Sequence, residues 1–226
     1  MKRSEINKVI KDMETLISEY RFALPPFAHW TPSEWDNIGH EYDEIRDNQL
    51  GWDITDYGLD DFKKVGMALI TLRNGNLANP KYKKSYAEKL IMLYEGQTSP
   101  MHFHWNKMED IINRGGNNCY IKVYNGRQDG EMLDTDVTIY TDGKESVVPA
   151  GSSVILKPGQ SITVSQYLYH EFIVPDTGGS VLLGEVSMCN DDENDNKFYE
   201  PVGRFPEIEE DEKPYRLLCN EYPSVK

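Results

Sequence analysis

Cysteine is scarce in this chain: Cys119, Cys189 and Cys219 are odd in number, widely spaced and never in a CxxC pair. That excludes a disulfide framework and points to a reducing compartment. Long apolar runs are missing too, and no stretch approaches the ~20 residues that a membrane span needs. The first twenty residues carry Glu5, Asp12 and Glu14 where a signal peptide needs uninterrupted apolar sequence. A soluble, cytoplasmic protein is the expectation. Positive charge is in deficit, with 24 basic against 38 acidic residues and a net charge of -14. Phosphate backbones and anionic membranes are therefore poor partners, so neither nucleic acid nor a membrane is expected. No segment repeats with a fixed period.

What is present is organised around Gly96 to Gly116, GQTSPMHFHWNKMEDIINRGG. His102 and His104 are two apart, so on a strand both imidazoles share a face and Phe103 takes the other. Glu109 follows after a four-residue gap, room for a turn that returns a carboxylate toward that face. Three N/O donors then converge as a divalent metal requires.

The flanking sequence supplies the frame. Ile6, Val9, Ile10, Met13, Leu16, Ile17 and Tyr20 recur at helical spacing over residues 4–20, with Ser4 as N-cap. Pro25–Pro26 breaks the pattern, and Thr31–Pro32 restarts a short second helix. From about residue 65 the period changes. VGMALITLRNG, YAEKLIMLYEG, NCYIKVYNG, DVTIYTDG, ESVVPAGSSVILKPG, SITVSQYLYHEFIVP and SVLLGEVSMC read as short strands punctuated by Asn74–Gly75, Asn125–Gly126, Asp142–Gly143, Pro158–Gly159 and Gly178–Gly179. Such strands, not alternating with helices, suggest a sandwich or barrel. Between Asn190 and Glu212 ten acids face two bases. Glu207–Glu212 reads as a solvated acidic tail. Phe198, Tyr199, Pro201 and Phe205 instead suggest a loop packed across a barrel mouth, with Arg204 in it.

The spacing Gly-x5-His-x-His-x4-Glu-x6-Gly resembles the first motif of the cupin superfamily. Its second motif is matched by Gly151, Pro158 and Gly159 and by His170 on the strand that follows, with eleven residues rather than a few between Pro158 and the histidine. The resemblance implies an antiparallel jelly-roll barrel with N-terminal helices packed outside. It further implies a metal bound by His102, His104, Glu109 and His170, the last from the opposite sheet, with open positions for substrate. His29 and His40 precede the barrel, and His29, beside Phe27 and Trp30, reads as a packed structural histidine. On this reading residues 1–226 are a single cupin domain: a helical extension (1–62), a barrel core (63–190) and a C-terminal loop segment and tail (191–226).

Over nearly its whole length, including LLGEVSMCNDDENDNKFYEPVGRF, the chain is similar to the D-lyxose ketol-isomerase family. That implies interconversion of unphosphorylated aldoses and ketoses, D-lyxose with D-xylulose and D-mannose with D-fructose, by way of a cis-enediol. Mn²⁺ is the metal implied, with Co²⁺, Fe²⁺ or Zn²⁺ compatible with the donor set, and a homodimer is expected. Proton transfer needs a general base. Glu185 shares parity with Val181, Leu183 and Ser187; facing the barrel interior as a lone carboxylate it would have a raised pKa, and facing solvent or paired with a neighbouring base it would be unremarkable. Lys107 lies either beside the metal, near a sugar oxygen, or on a surface turn. Arg204 orients sugar hydroxyls, holds a catalytic carboxylate or forms a surface pair. Tyr94, Trp105, Phe172 and Phe198 are candidate walls for a sugar or simply core. A cupin dioxygenase would share the ligand set but line its pocket with apolar groups, whereas a non-enzymatic sugar-binding cupin would lack the base. A phosphosugar isomerase would need a cationic phosphate site, for which Lys107, Arg114, Lys122 and Arg127 are the nearby basic residues.

Overall fold

The structure is a computed structural model and describes residues 1–192 and 194–225. The N-terminal helical pattern forms α1 (Arg3–Glu19), followed by α2 (Pro32–Trp35) and α3 (Asp43–Asp47). Ser4 lies inside α1 rather than capping it: Lys2 is the N-cap, and the Ser4 hydroxyl donates to Asp211 Oδ2 at 2.7 Å. Thr31 does cap α2, accepting from the backbone N–H of Glu34.

The strands are β1 (Gly51–Thr55), β2 (Met67–Arg73), β3 (Tyr86–Leu93), β4 (His102–His104), β5 (Glu109–Gly116), β6 (Cys119–Gly126) and β7 (Met132–Leu133). After them come β8 (Val137–Thr141), β9 (Lys144–Val148), β10 (Ser153–Leu156), β11 (Ser161–Val164), β12 (Leu168–Ile173), β13 (Val181–Met188) and β14 (Asn196–Phe198). They make two antiparallel sheets in the expected jelly-roll arrangement. The larger runs β1-β2-β3-β13-β5-β11-β8-β9, and the smaller runs β10-β6-β12-β4-β14 with β7 on β6. β1 falls inside the stretch read as helical; five residues, all buried, are too few to show a period against the neighbouring helical signals.

Two apolar layers explain the strand composition. Between the sheets lie Leu69, Ile91, Leu93, Ile111, Ile121, Val123, Phe172 and Leu183. On the outer face of β1, β2, β3 and β13, the α1 residues Ile6, Val9, Ile10, Met13 and Ile17 cover Trp52, Ile70, Leu90, Met92 and Leu182. These strands are buried on both faces, so they read as continuous apolar runs instead of alternating. The acidic tail is anchored, not free: Arg3 pairs with Glu210 at 2.5 Å, and Asn7 donates to Glu212 Oε1 at 2.6 Å. Carboxylates here compensate the buried guanidinium of Arg3.

The motif glycines have mechanical reasons. Gly116, at φ 88°, lies where β5 meets the start of β13, and a Cβ there would sit 2.2 Å from the Ser180 carbonyl oxygen. Gly96, at φ 76°, turns the chain into the histidine segment and donates to the Val174 carbonyl at 3.2 Å.

Ile10 is fully buried under α1. Ile10→Ala should lower unfolding stability by about 2–5 kcal/mol in urea denaturation, the usual cost of such a truncation.

Candidate metal and catalytic site

The charged groups of the barrel interior are gathered at one end, while the buried Asn113 beside Leu183 spends its amide on the carbonyls of Asn117 and Leu156. In the larger sheet, Met67, Leu93 and Val181 share one interior row, as do Leu69, Ile91 and Leu183. The next row is Thr71, Lys89, Glu185 and Ile111, and the one after pairs Ser187 with Glu109. Apolar rows thus give way to charged ones within two residues of each strand. Glu185 does face the interior, as its parity with Val181 and Leu183 requires.

The smaller sheet supplies the imidazoles. His102 stands directly opposite His170 in the β4–β12 pair, and His104 follows on the same face, while Phe103 packs outward on Tyr169. His170 therefore comes from the strand beside His102 and not from the opposite sheet; it is Glu109, on β5, that crosses from the other sheet. The eleven-residue spacing from Pro158 arises because β11, a strand of the larger sheet, intervenes before β12.

Each histidine is oriented by a backbone carbonyl. His102 Nδ1 is 2.9 Å from the Pro100 carbonyl oxygen, His170 Nδ1 is 2.9 Å from that of Leu168, and His104 Nδ1 is 3.3 Å from that of Asp195. A carbonyl only accepts, so each Nδ1 carries the proton and each Nε2 presents a lone pair. The ligand atoms of the three lie within 4.8 Å of one another. Nε2 of His104 and of His170 is buried without a hydrogen bond, as is Oε2 of Glu109. Three converging lone pairs beside a carboxylate fit a divalent cation, and backbone-oriented imidazoles are the usual support for one. Burial, then the neighbouring His170, holds His102 well below the usual histidine range; burial, then Lys107, lowers His104. Both are kept in the ligating form.

Glu109 Oε1 approaches His170 Nε2 at 3.2 Å and His104 Nε2 at 3.6 Å. Its Oε2 lies 2.6 Å from Lys107 Nζ, in ion-pair contact without hydrogen-bond alignment. Burial pushes this carboxyl up, but Lys107 and His104 outweigh it and hold it well below the usual range. Burial likewise acts to discharge Lys107, yet Glu109 and Glu185 keep its ammonium charged. Lys107 is no surface turn residue, being 4 % exposed. Glu185 is not a lone carboxylate: Lys107 Nζ is 3.1 Å and Lys89 Nζ 3.2 Å from its Oε1. The premise of isolation therefore fails. The close approach at Gly184 is made from the outer face, by the Arg114 side chain.

Arg204 reaches in from the C-terminal loop to a buried Asp53 on β1 and to Asp192 at 2.6 Å. Phe172 and Phe198 line the cavity with His102 and His104 and with Lys107, Glu185 and Arg204. Tyr94 and Trp105 do not. Tyr94 packs on Phe62 and donates to Asp12, and Trp105 stacks edge-on with Phe103. His29 is outward, 3.8 Å from Glu14, and His40 pairs with Asp43 on the surface. Among the remaining basic candidates, Lys122 pairs with Glu171 and Arg127 with Asp129 and Glu131, outside the cavity.

Two residues escaped the sequence reading. Asp195 accepts from the backbone N–H groups of Asn106 and Lys107 at 2.7 and 2.8 Å, which fixes the β4–β5 turn and hence Lys107. Lys89 was hidden in the apolar run of β3. Asp195 lies in a polar segment with no period, so only the fold singles it out; Lys89 carried a usable signal, a charge at an interior parity.

Comparison with known proteins gives a family described as D-lyxose isomerase, whose profile matches residues 1–222. The chain is 44% identical over 223 residues to the D-lyxose/D-mannose isomerase of Serratia proteamaculans, covering 98% of both chains. To the protein of the same name from Escherichia coli O157:H7 it is 43% identical over 223 residues, again covering 98% of both. Among solved structures, the ligand-free L-ribose isomerase of Cellulomonas parahominis superposes with a TM-score of 0.62 at 16% identity, over 92% of this chain and 98% of that one. The L-ribose isomerase of Acinetobacter sp. DL28 in complex with L-ribose gives 0.62 at 14% identity over the same shares. At these identities the likeness establishes the fold.

Protein freed of metal by a chelator should lose stability as pH falls from about 6.5, the unfolded histidine value, toward the lowered values of His102 and His104. In that window the unfolded chain takes up protons that the folded chain refuses. Urea denaturation at pH 7.5 and 5.5 checks the sign.

Proposed function

The chain belongs to the D-lyxose isomerase family, and from that premise we propose that it is a metal-dependent isomerase of unphosphorylated sugars, converting D-lyxose to D-xylulose and D-mannose to D-fructose. The observation that carries the proposal is the single cavity in which three Nε2 lone pairs and Glu109 adjoin the buried Lys107–Glu185 pair. His102, His104, His170 and Glu109 would hold the metal, with Mn²⁺ the reading that fits this family and this thiolate-free donor set. When bound it supplies Lewis acidity toward the C1 and C2 oxygens of the open-chain sugar.

The remaining work falls to the chain. Isomerisation moves one proton from C2 to C1 and another between the two oxygens, through a cis-enediol. Glu185 takes the C2 proton and returns it to C1. Lys107, kept charged by its two carboxylates, donates a hydrogen bond to the sugar oxygen on which negative charge develops. Arg204, fixed by Asp53 and Asp192, aligns hydroxyls farther along the sugar, and Phe172 and Phe198 exclude water from one wall. A buried, paired set of four ionic side chains speaks against the apolar pocket of a dioxygenase. It also speaks against a phosphosugar, because the cavity's lysines and Arg204 are each already matched by a carboxylate. A homodimer is proposed from the family alone.

The test is to strip the metal, restore Mn²⁺ and follow D-lyxose and D-mannose by NMR in D₂O. Ketose formation only with metal is expected, with deuterium entering at C1; no conversion of either sugar sinks the reading. His102→Ala and His170→Ala should lose both metal and turnover. Glu185→Gln should keep its metal and lose about 10²–10⁴ in kcat, the usual worth of a general base; full metal content in His170→Ala would remove that ligand.

A further inference from the structure

Lys89 is the one charged residue among the interior-facing positions of β3, which are otherwise Ala87, Ile91 and Leu93. It is 5 % exposed. Burying an ammonium among aliphatic side chains is costly unless every contact compensates it, so its partners define its purpose. Lys89 stands directly opposite Glu185 in the β3–β13 pair, with Nζ 3.2 Å from Glu185 Oε1, and donates to Asn190 Oδ1 at 2.6 Å. Lys107 meets the same oxygen at 3.1 Å from the β4–β5 turn. Asn190 Oδ1 also lies 3.5 Å from Lys107 Nζ, so one amide spans both ammonium groups.

The two lysines differ in their other obligations. Lys107 is shared with Glu109, 2.6 Å away, and so follows whatever happens among the imidazoles. Among the described residues Lys89 makes no hydrogen bond or ion pair with an imidazole or with the smaller sheet, and its ion-pair partner is Glu185. Both ammonium groups converge on Oε1, and no protein hydrogen bond reaches Oε2 among the described residues. A carboxylate held by one oxygen from two elements cannot rotate without breaking a buried ion pair. Its second oxygen is thereby directed.

Resting on the isomerase reading above, we propose that Lys89 is a positioning residue of the reaction: together with Lys107 it pins Oε1 of Glu185, so that Oε2 is presented to the sugar carbon. It touches no reacting atom. Its contribution is to keep Glu185 oriented while Lys107 is engaged with the sugar oxygen, a division of labour that a single lysine could not serve. Positioning of this kind acts on turnover more than on binding, since an ångström of misplacement costs about 10²-fold in rate.

The experiment compares the metal-loaded wild type with Lys89→Met, Lys89→Arg and the double variant Lys89→Met/Glu185→Gln, using D-lyxose. Lys89→Met should keep the wild-type metal content and KM while kcat falls about 10²-fold. Lys89→Arg, which restores a cation of similar reach, should recover most of the loss, and Lys89→Met should add nothing in the Glu185→Gln background. A crystal structure of Lys89→Met should show the Glu185 carboxylate rotated away from its wild-type orientation. Unchanged kcat, an additive loss in the double variant, or an unmoved Glu185 would each overturn the proposal. Should Lys89→Met fail to fold, kcat and the crystal structure of Lys89→Gln decide on the same terms. Absence of turnover in the wild type would sink the isomerase reading instead, and the crystal comparison would still decide whether Lys89 holds Glu185.

Discussion

The contact between Lys107 and Glu109 governs the site, because neither charge could stay inside the barrel without the other. A buried ion pair contributes little net stability, yet removing one partner typically costs about 3–5 kcal/mol by stranding the other. Here the pair is extended at both ends. Glu109 leans on the imidazoles of His104 and His170, and Lys107 leans on Glu185, which Lys89 holds in turn. Lysine and glutamate side chains alternate through the set, and the opposite charges beside Lys107 and Glu109 keep both ionised against burial.

The fold makes room for this polarity by confining it. The larger sheet places apolar side chains in successive interior rows and changes to Lys89, Glu185, Ser187 and Glu109 only at one end. Its outer face is sealed by α1 and held by the acidic C-terminal segment through Arg3 and Asn7. The C-terminal loop then crosses the polar end and brings Phe198, Asp192 and Arg204 to it. Rigidity therefore comes from the two apolar layers, and the chemistry is mounted where they stop.

Much of this was legible. Strand positions followed from β-rich runs and their turn residues, α1 from its period, and the shared face of His102 and His104 from their spacing on one strand. The mistakes have physical causes. β1 is too short and too buried to show alternation. The origin of His170 in the same sheet as His102 depends on strand order, which no local pattern encodes. The pairing of Glu185 stays open in the sequence because its partners, Lys89 and Lys107, are distant from it along the chain. The acidic tail read as solvated because its anchors, Arg3 and Asn7, lie more than two hundred residues away.

By itself, the sequence determined the element types, the candidate donor set and the family, since these rest on side-chain identity, short-range spacing and likeness along the chain. Only the tertiary structure decided which sheet supplies each candidate ligand, that the base candidate is held by two lysines, and that Asp195 fixes the turn bearing Lys107. The reason is range: a period or a motif is written within a few residues, whereas the charge state and orientation of a buried group depend on whatever strand pairing brings to within a few ångströms of it.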